Sequence, residues 1–253
     1  MTRPRTLLAA IVLGILVQPS IGGGVPFAVG EKLTFAVKFG FIKAGIATME
    51  VRDVVDFNGR RCYRLISEAR STMPFSLFFE VRDHVESLMD SAYLYSVRYE
   101  KRLKEGSYQK NEVVLFDQDR HLALYPDGVE IPTPDGVQDV LSSLYYVRTL
   151  NLRVGESVFI KNHADRKNYP LEVKVLRVET VEVPAGRFEC FVVEPILKAS
   201  GIFQHKGRLT VWLTKNPPHF PVMMKSKIVI GSISAVLIKK VVPGEKGEED
   251  EPR

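Results

Sequence analysis

The chain has 253 residues, of which 26% are charged and 45% hydrophobic, and its formal net charge is +5. A charge this small, with no Lys and Arg cluster interleaved with aromatic residues, argues against a nucleic-acid-binding protein. The two cysteines and five histidines have no metal-ligand spacing, so no metal site and no cofactor are predicted. The sequence also lacks a GxSxG elbow and a phosphate-binding glycine loop, and no catalytic residue is predicted.

Residues 1–22 have the organisation of a secretory signal peptide. Arg3 and Arg5 form a basic start, residues 7–17 an apolar run, and residues 20–22 a cleavage region with small side chains. The apolar run is too short for a bilayer, which takes roughly 20 residues, although an uncleaved anchor is the alternative. Cleavage would lower the net charge to +3 and leave a periplasmic or secreted chain without a transmembrane span.

Residues 23–242 are predicted to form a single β-rich domain, because apolar and polar residues alternate through most of them. Segments such as FNGRR and VPAGRF mark turns between the runs. Clean alternation indicates antiparallel strands with one solvated face, and about ten or more such strands must curl. The predicted fold class is mainly all-β, a curved antiparallel sheet or partly open β-barrel. Residues 243–253 are charged and are predicted to form a disordered tail.

Several aromatic residues are predicted to face the concave side of this sheet. Phe35 lies in KLTFAVKF, Tyr93 and Tyr95 lie in YLYSVRYEKR, and Trp212 lies in RLTVWLTK. Each of these segments has the period-two pattern of a strand. An inward aromatic set of this kind could line an apolar pocket.

One amphipathic helix, over about residues 136–149, interrupts the strands. Its predicted N-cap is Asp135, with Gln138 three residues later. Its apolar stripe has helical spacing and consists of Val137, Val140, Leu141, Leu144 and Tyr145. The helix is expected to cover one opening of the sheet, either as a structural plug or as a lid over a pocket.

The lid alternative assigns four binding residues. Tyr145 and Tyr146 would gate the pocket, Arg148 would contact an anionic head group, and Trp212 would line the wall. Pairing of Arg148 with Asp139 or Glu179 inside the fold would remove its role.

Cys62 and Cys190 are the two cysteines, and each lies in a strand-like run. Export to an oxidising compartment favours a disulfide between them, which would stabilise the fold by about 4–5 kcal/mol in the chain-entropy model. Two separate buried thiols are the alternative.

The sequence resembles the bacterial family known as domain of unknown function 3108 from about Gly30 to Leu237. The resemblance is carried by GEKLTF, AGIATMEV, NGRRCYRL, VRDHVESLMD, DVLSSLYYVR, VETVEVPAGRF, VWLTKNPPHFPV and IVIGSISAVL. Asn216 departs from it, because members usually carry an acidic residue there. The resemblance implies an exported β-rich protein with no established activity.

Three functions remain open from the sequence. The first is a non-enzymatic binder of a lipid-like or other amphiphilic envelope component. The second is an envelope assembly or interaction protein with a filled core, and the third is a hydrolase with unmarked carboxylates. Inward acidic residues that converge in one cleft would favour the third.

Overall fold

The computed structural model describes residues 25–197, 209–227 and 231–244. The predicted signal peptide and residues 245–253 of the predicted tail lie outside these ranges. Within them, one α-helix, α1, spans Val140–Val147, and a 3₁₀ turn spans Phe75–Leu77. The fourteen strands of these ranges are β1 Lys32–Phe39, β2 Ile42–Phe57, β3 Arg60–Ser71, β4 Arg82–Asp90, β5 Ser96–Glu105, β6 Tyr108–Asp117, β7 Leu122–Leu124, β8 Glu130–Pro132, β9 Ser157–Ala164, β10 Lys167–Val183, β11 Gly186–Leu197, β12 Leu209–Thr214, β13 Pro221–Lys227 and β14 Ser232–Val241.

The strands described form a single antiparallel sheet. Their order is β8-β7-β6-β5-β4-β3-β2-β1-β14-β13-β12-β11-β10-β9, so the first strand pairs with the last and the middle strands are the edges. The predicted turn at Asn58-Gly59 is a two-residue hairpin loop with φ of 53° and 77°. Positive φ at both positions is the geometry that joins twisted antiparallel strands, which explains the Asn-Gly pair. The prediction of a mainly β, curved antiparallel sheet is confirmed.

The sheet does not close into a barrel, because no strand ladder joins its edges β8 and β9. The extended segment before α1 lies across the gap instead. The carbonyl of Val137 accepts a hydrogen bond from Ser96 N of β5 at 3.1 Å. Gln138 N donates to Lys161 O of β9, and His163 N donates to Gln138 O, each at 2.8 Å. The segment therefore satisfies backbone groups on both sides of the opening.

The N-cap of α1 lies four residues later than predicted. Asp139 is the N-cap: its side chain accepts from Leu141 N at 2.7 Å and Ser142 N at 2.8 Å, while Ser142 Oγ accepts from Asp139 N. Asp135 is exposed, and the prediction that it caps the helix is wrong. The reason is that Val137 is buried as part of the extended segment, although its spacing also fits a helical stripe.

The helix packs into the main apolar cluster of the sheet. Leu141 and Tyr145 are buried there, whereas Val140 of the predicted stripe is half-exposed. The cluster also contains Leu33, Phe35, Met49, Leu65, Met89, Trp212 and Leu237. Burial of these side chains supplies most of the free energy that holds the helix in place.

Two further predictions are wrong. Tyr93 is 70% exposed, because the strand begins only at Ser96 and Leu94 adopts a positive φ of 60° in the preceding turn. The Cys62–Cys190 disulfide is absent, and both thiols are free and buried. They lie in different clusters, since Cys190 belongs to the main core and Cys62 to a small separate one. Burial raises the pKa of Cys62 to about 11 and that of Cys190 to about 12, so both are unreactive at neutral pH.

Candidate functional site

The two tyrosines of α1 have different surroundings. Tyr145 is fully buried, its ring meets Phe27 edge-on at 5.2 Å, and burial raises the pKa of its hydroxyl. Its hydroxyl has no hydrogen-bond partner among the described residues. Tyr146 is half-buried and contacts both large apolar clusters. That these tyrosines gate a ligand stays a prediction, and Tyr145 would have to leave the core to do so.

Arg148 forms a buried ion pair with Glu31. Its two terminal nitrogens donate to the two carboxylate oxygens of Glu31, both at 2.7 Å, and Nε donates to Pro218 O at 3.0 Å. The guanidinium also lies 5.1 Å from the ring centre of Tyr145. Neither Asp139 nor Glu179 is its partner. Glu31 takes their place, so Arg148 is already paired inside the fold. A head group would have to displace Glu31 to reach Arg148.

Trp212 lies in β12 and is 7% exposed within the main cluster. Its indole N–H donates to the carboxylate of Glu179. This contact satisfies the one polar atom of a large apolar side chain. A role in lining a ligand wall stays a prediction.

Two inward acidic residues converge, as the hydrolase alternative requires, but both are held by lysines. Lys101 Nζ lies 2.8 Å from Asp165 Oδ1 and 3.1 Å from Glu112 Oε1, and Lys110 contacts both acids. Burial raises the pKa of Asp165, but hydrogen bonds from the two lysines outweigh it and lower the pKa to about 2. Hydrolysis of a glycoside needs one protonated carboxyl group, and the two lysines keep Asp165 ionised.

An exposed apolar surface lies at the opposite end of β1 from Glu31. The β1–β2 hairpin turns at Gly40, whose φ is +58°, and whose N–H donates to Ser232 O at 2.9 Å. The positive φ favours glycine at position 40, whereas the second residue of the turn can carry any side chain. That residue is Phe41, which is fully exposed, and Ile42 beside it is 63% exposed.

The connection between β3 and β4 adds to the same surface. Its 3₁₀ turn packs Phe75 against Phe39 of β1, with ring centres 6.4 Å apart. Met73, Leu77 and Phe78 remain mostly exposed. We refer to Phe41, Ile42, Met73, Leu77 and Phe78 as the apolar tip. Soluble monomers seldom expose a large contiguous apolar patch without a function.

Four cations surround the apolar tip. Lys38 and Lys43 face each other across the β1–β2 hairpin, Lys227 pairs with Ser232 beside it, and Arg70 lies near the end of β3. None of them forms an ion pair with a carboxylate of the residues that the structure describes. We refer to Lys38, Lys43, Arg70 and Lys227 as the basic collar.

Sequence reasoning missed the apolar tip, although two signals were present. The segment MPFSLFF holds five large apolar residues with neither the period of a strand nor that of a helix. Phe41 follows a turn glycine, where polar residues are usual. A short apolar run without a period is also consistent with a fully buried segment, so the sequence alone does not reveal that these side chains are exposed.

Within the described ranges, no helix is long and apolar enough to cross a membrane. No group of three or more His, Cys, Asp or Glu residues in those ranges could hold a metal ion.

The fold and its exposed end define a β-barrel-like protein, an open antiparallel sheet that carries one helix inside and an apolar tip outside. The chain belongs to the family described as protein of unknown function (DUF3108), whose family model matches residues 34–238. The resemblance seen in the sequence is thereby confirmed. No curated protein matches the chain.

Several solved structures are similar to this chain at low sequence identity, and the first of them shares its fold. A β-barrel-like DUF1849 protein from Brucella abortus superposes with a TM-score of 0.58 at 10% identity, over 85% of this chain and 98% of its own. A DUF1089 family protein from Pseudomonas aeruginosa gives 0.42 at 12% identity, over 73% and 90%. A candidate lipoprotein from Parabacteroides distasonis gives 0.38 at 11% identity, over 86% and 99%.

Proposed function

We propose that the protein is an extracytoplasmic, non-enzymatic binder of an amphiphilic envelope component, and that it docks on an anionic lipid bilayer through the apolar tip. The supporting observation is the combination of five exposed apolar side chains with a collar of cations that have no acidic partner among the described residues. The signal-peptide pattern of residues 1–22 supports export. The helix residues would have to give up core contacts to reach an enclosed ligand, whereas the tip needs no rearrangement.

The free energies of apolar burial and of charge attraction favour docking on a membrane surface. Full burial of a Phe, Leu, Ile or Met side chain contributes about 1.5–3 kcal/mol, so even partial burial of five gives several kcal/mol. Each Lys or Arg near an anionic surface adds about 1 kcal/mol. A single apolar anchor binds a membrane only marginally, and stable docking needs a second signal such as a basic patch. The tip and the collar together supply both.

Flotation of the mature chain, residues 23–253, with lipid vesicles tests this function. We expect binding to vesicles of phosphatidylcholine mixed with phosphatidylglycerol, and weaker binding to phosphatidylcholine alone. Combined Phe41→Ser and Phe78→Ser substitutions should lower the affinity for both by about tenfold or more. Raising the salt concentration should weaken only the binding to mixed vesicles, because exposed charges are screened.

The matched control is Phe159→Ser on the edge strand β9, because Phe159 is also an exposed phenylalanine, at 61%. It lies away from the tip and should leave vesicle binding unchanged. Equal losses from both sets of substitutions, or no binding to either vesicle, would contradict the proposal. If the chain instead captures an envelope protein, and Phe41→Ser with Phe78→Ser abolishes the capture, the assembly alternative is correct.

A further inference from the structure

A surface pocket lies beside the apolar tip. Its volume is about 530 Å³, and its lining residues are Arg70, Ser71, Ser76, Glu80, Val81 and Arg82. The backbone at its base is fixed: Ser71 N donates to Val81 O at 3.0 Å, and Val81 N donates to Ser71 Oγ at 2.9 Å. The 3₁₀ turn that supplies Ser76 also carries the exposed Leu77, so the pocket opens next to an apolar surface.

The charges around the pocket are unbalanced. Arg70 and Arg82 lie directly opposite each other on β3 and β4, an arrangement that costs stability between like charges. Arg82 Nε contacts Glu80 Oε1 at 2.8 Å, but the other oxygen of Glu80 accepts from Lys104 Nζ, also at 2.8 Å. The hydrogen bond from Lys104 lowers the pKa of Glu80 and keeps it ionised. One carboxylate thus serves two cations, and Arg70 has no acidic partner among the described residues.

We propose that this pocket binds the phosphate of an anionic phospholipid head group, with Arg70 and Arg82 as its ligands. Guanidinium groups match phosphate oxygens with paired, charge-assisted hydrogen bonds. The volume exceeds that of a phosphate alone and leaves room for the head-group alcohol. A lipid held here would have its acyl chains beside Leu77 and Phe78, where they would continue into the bilayer. The assignment rests on the proposed docking of the tip and adds a specific site to it.

Three variants of the mature chain separate a phosphate site from general charge. Arg70→Gln and Lys43→Gln remove the same charge from the collar, but only Arg70 lines the pocket. We expect Arg70→Gln to weaken binding to phosphatidylglycerol-containing vesicles about tenfold more than Lys43→Gln does. Arg70→Lys keeps the charge and loses the planar fork, and it should weaken binding nearly as much as Arg70→Gln.

Vesicles of phosphatidylcholine alone distinguish this proposal from the docking itself. Neither position-70 variant should lose more affinity for them than Lys43→Gln does, because Arg70 and Arg82 repel the choline cation that neutralises this head group. Loss of Phe41 and Phe78 should lower that affinity. If Arg70→Gln and Lys43→Gln behave alike on mixed vesicles, the pocket proposal is overturned while docking of the tip stands. If no variant binds vesicles differently from the unaltered chain, the proposed docking of the tip is overturned, and the pocket proposal that rests on it is overturned as well.

A comparison with inorganic phosphate shows whether the pocket binds a lipid head group or a free phosphate ion. The Nε–H signal of Arg70 in nuclear magnetic resonance spectra reports on the pocket directly. We expect saturable shifts with dihexanoyl phosphatidylglycerol below its micelle concentration, and weaker shifts with inorganic phosphate at equal concentration. Tighter binding of inorganic phosphate would overturn the lipid assignment in favour of a free-anion site. No shift with either probe would overturn the site altogether.

Discussion

The two ends of β1 show how differently one strand can be used. Glu31, at its start, is buried in an ion pair with Arg148, and every polar atom of the pair contacts protein. Past its other end, after a strand of eight extended residues about 26 Å long, the side chain of Phe41 is fully exposed. Burial at one end stabilises the fold, and exposure at the other supports the proposed docking of the tip. The comparison predicts opposite responses to substitution.

The largest effect is expected at the buried end. Glu31→Gln should lower the free energy of unfolding by about 3–5 kcal/mol, because it leaves Arg148 buried without a negative partner. Urea unfolding at neutral pH measures it. The matched control is Glu189→Gln, whose partner Lys215 lies 3.0 Å away at an exposed site and where the loss should stay below about 1 kcal/mol. Equal losses for the two variants would show that the buried pair is dispensable.

A smaller effect is expected at Asp165, which bridges Lys101 and Lys110 across the gap in the sheet. Its folded pKa of about 2 lies below the ordinary 3.8, so its ionisation stabilises the fold above pH 3.8. That contribution is lost as the pH falls through 3.8 towards 2. Asp165→Asn should therefore cost roughly 2 kcal/mol at pH 7.

The same substitution should cost about half as much at pH 3, where the unaltered chain has itself lost part of this stabilisation. Urea unfolding of both chains at the two pH values gives the comparison. Asp119→Asn is the control, because Asp119 also contacts an arginine, at 2.7 Å, but is 80% exposed. A cost for Asp165→Asn that does not change with pH would contradict the assigned ion pair.

The smallest effect on stability is expected at the apolar tip. Phe41→Ser and Phe78→Ser should each change the free energy of unfolding by no more than about 0.5 kcal/mol, since neither side chain is packed. Phe35→Ala in the core, the counterpart on the same strand as the tip hairpin, should cost about 3–5 kcal/mol. A loss above about 2 kcal/mol at Phe41 would show that its ring supports the fold, and the tip would cease to be a free docking surface.

The strands could be predicted from the sequence because their alternation is local. Turn chemistry at Asn58-Gly59 is equally local and was readable. The helix was found, but its first residue was not, since Val137 fits both a helical stripe and the extended segment that crosses the gap. Tyr93 was misplaced because a period-two run continued through the turn at Leu94.

The contacts that define the candidate site could not be read from the chain. Glu31 and Arg148 are 117 residues apart, and only the pairing of strands brings them together. Cys62 and Cys190 both have strand patterns, but the register places them in separate clusters. Arg70 and Arg82 became opposite neighbours only through the β3–β4 register. Sequence spacing carries no information about such partners.

The pairing of β1 with β14 also determines when the molecule can be completed. Of the strands described, β14 is the last to be made and crosses a membrane last if the chain is threaded from its N-terminus, yet it occupies the middle of the sheet. Until it arrives, β1 and β13 both present open hydrogen-bonding edges to other chains, a known route to aggregation. Proteolytic loss of the residues after Gly231 would accordingly split the sheet into two halves instead of trimming its rim. A chaperone or protease that recognises whether β1 and β14 are paired would therefore distinguish a completed molecule from an incomplete one.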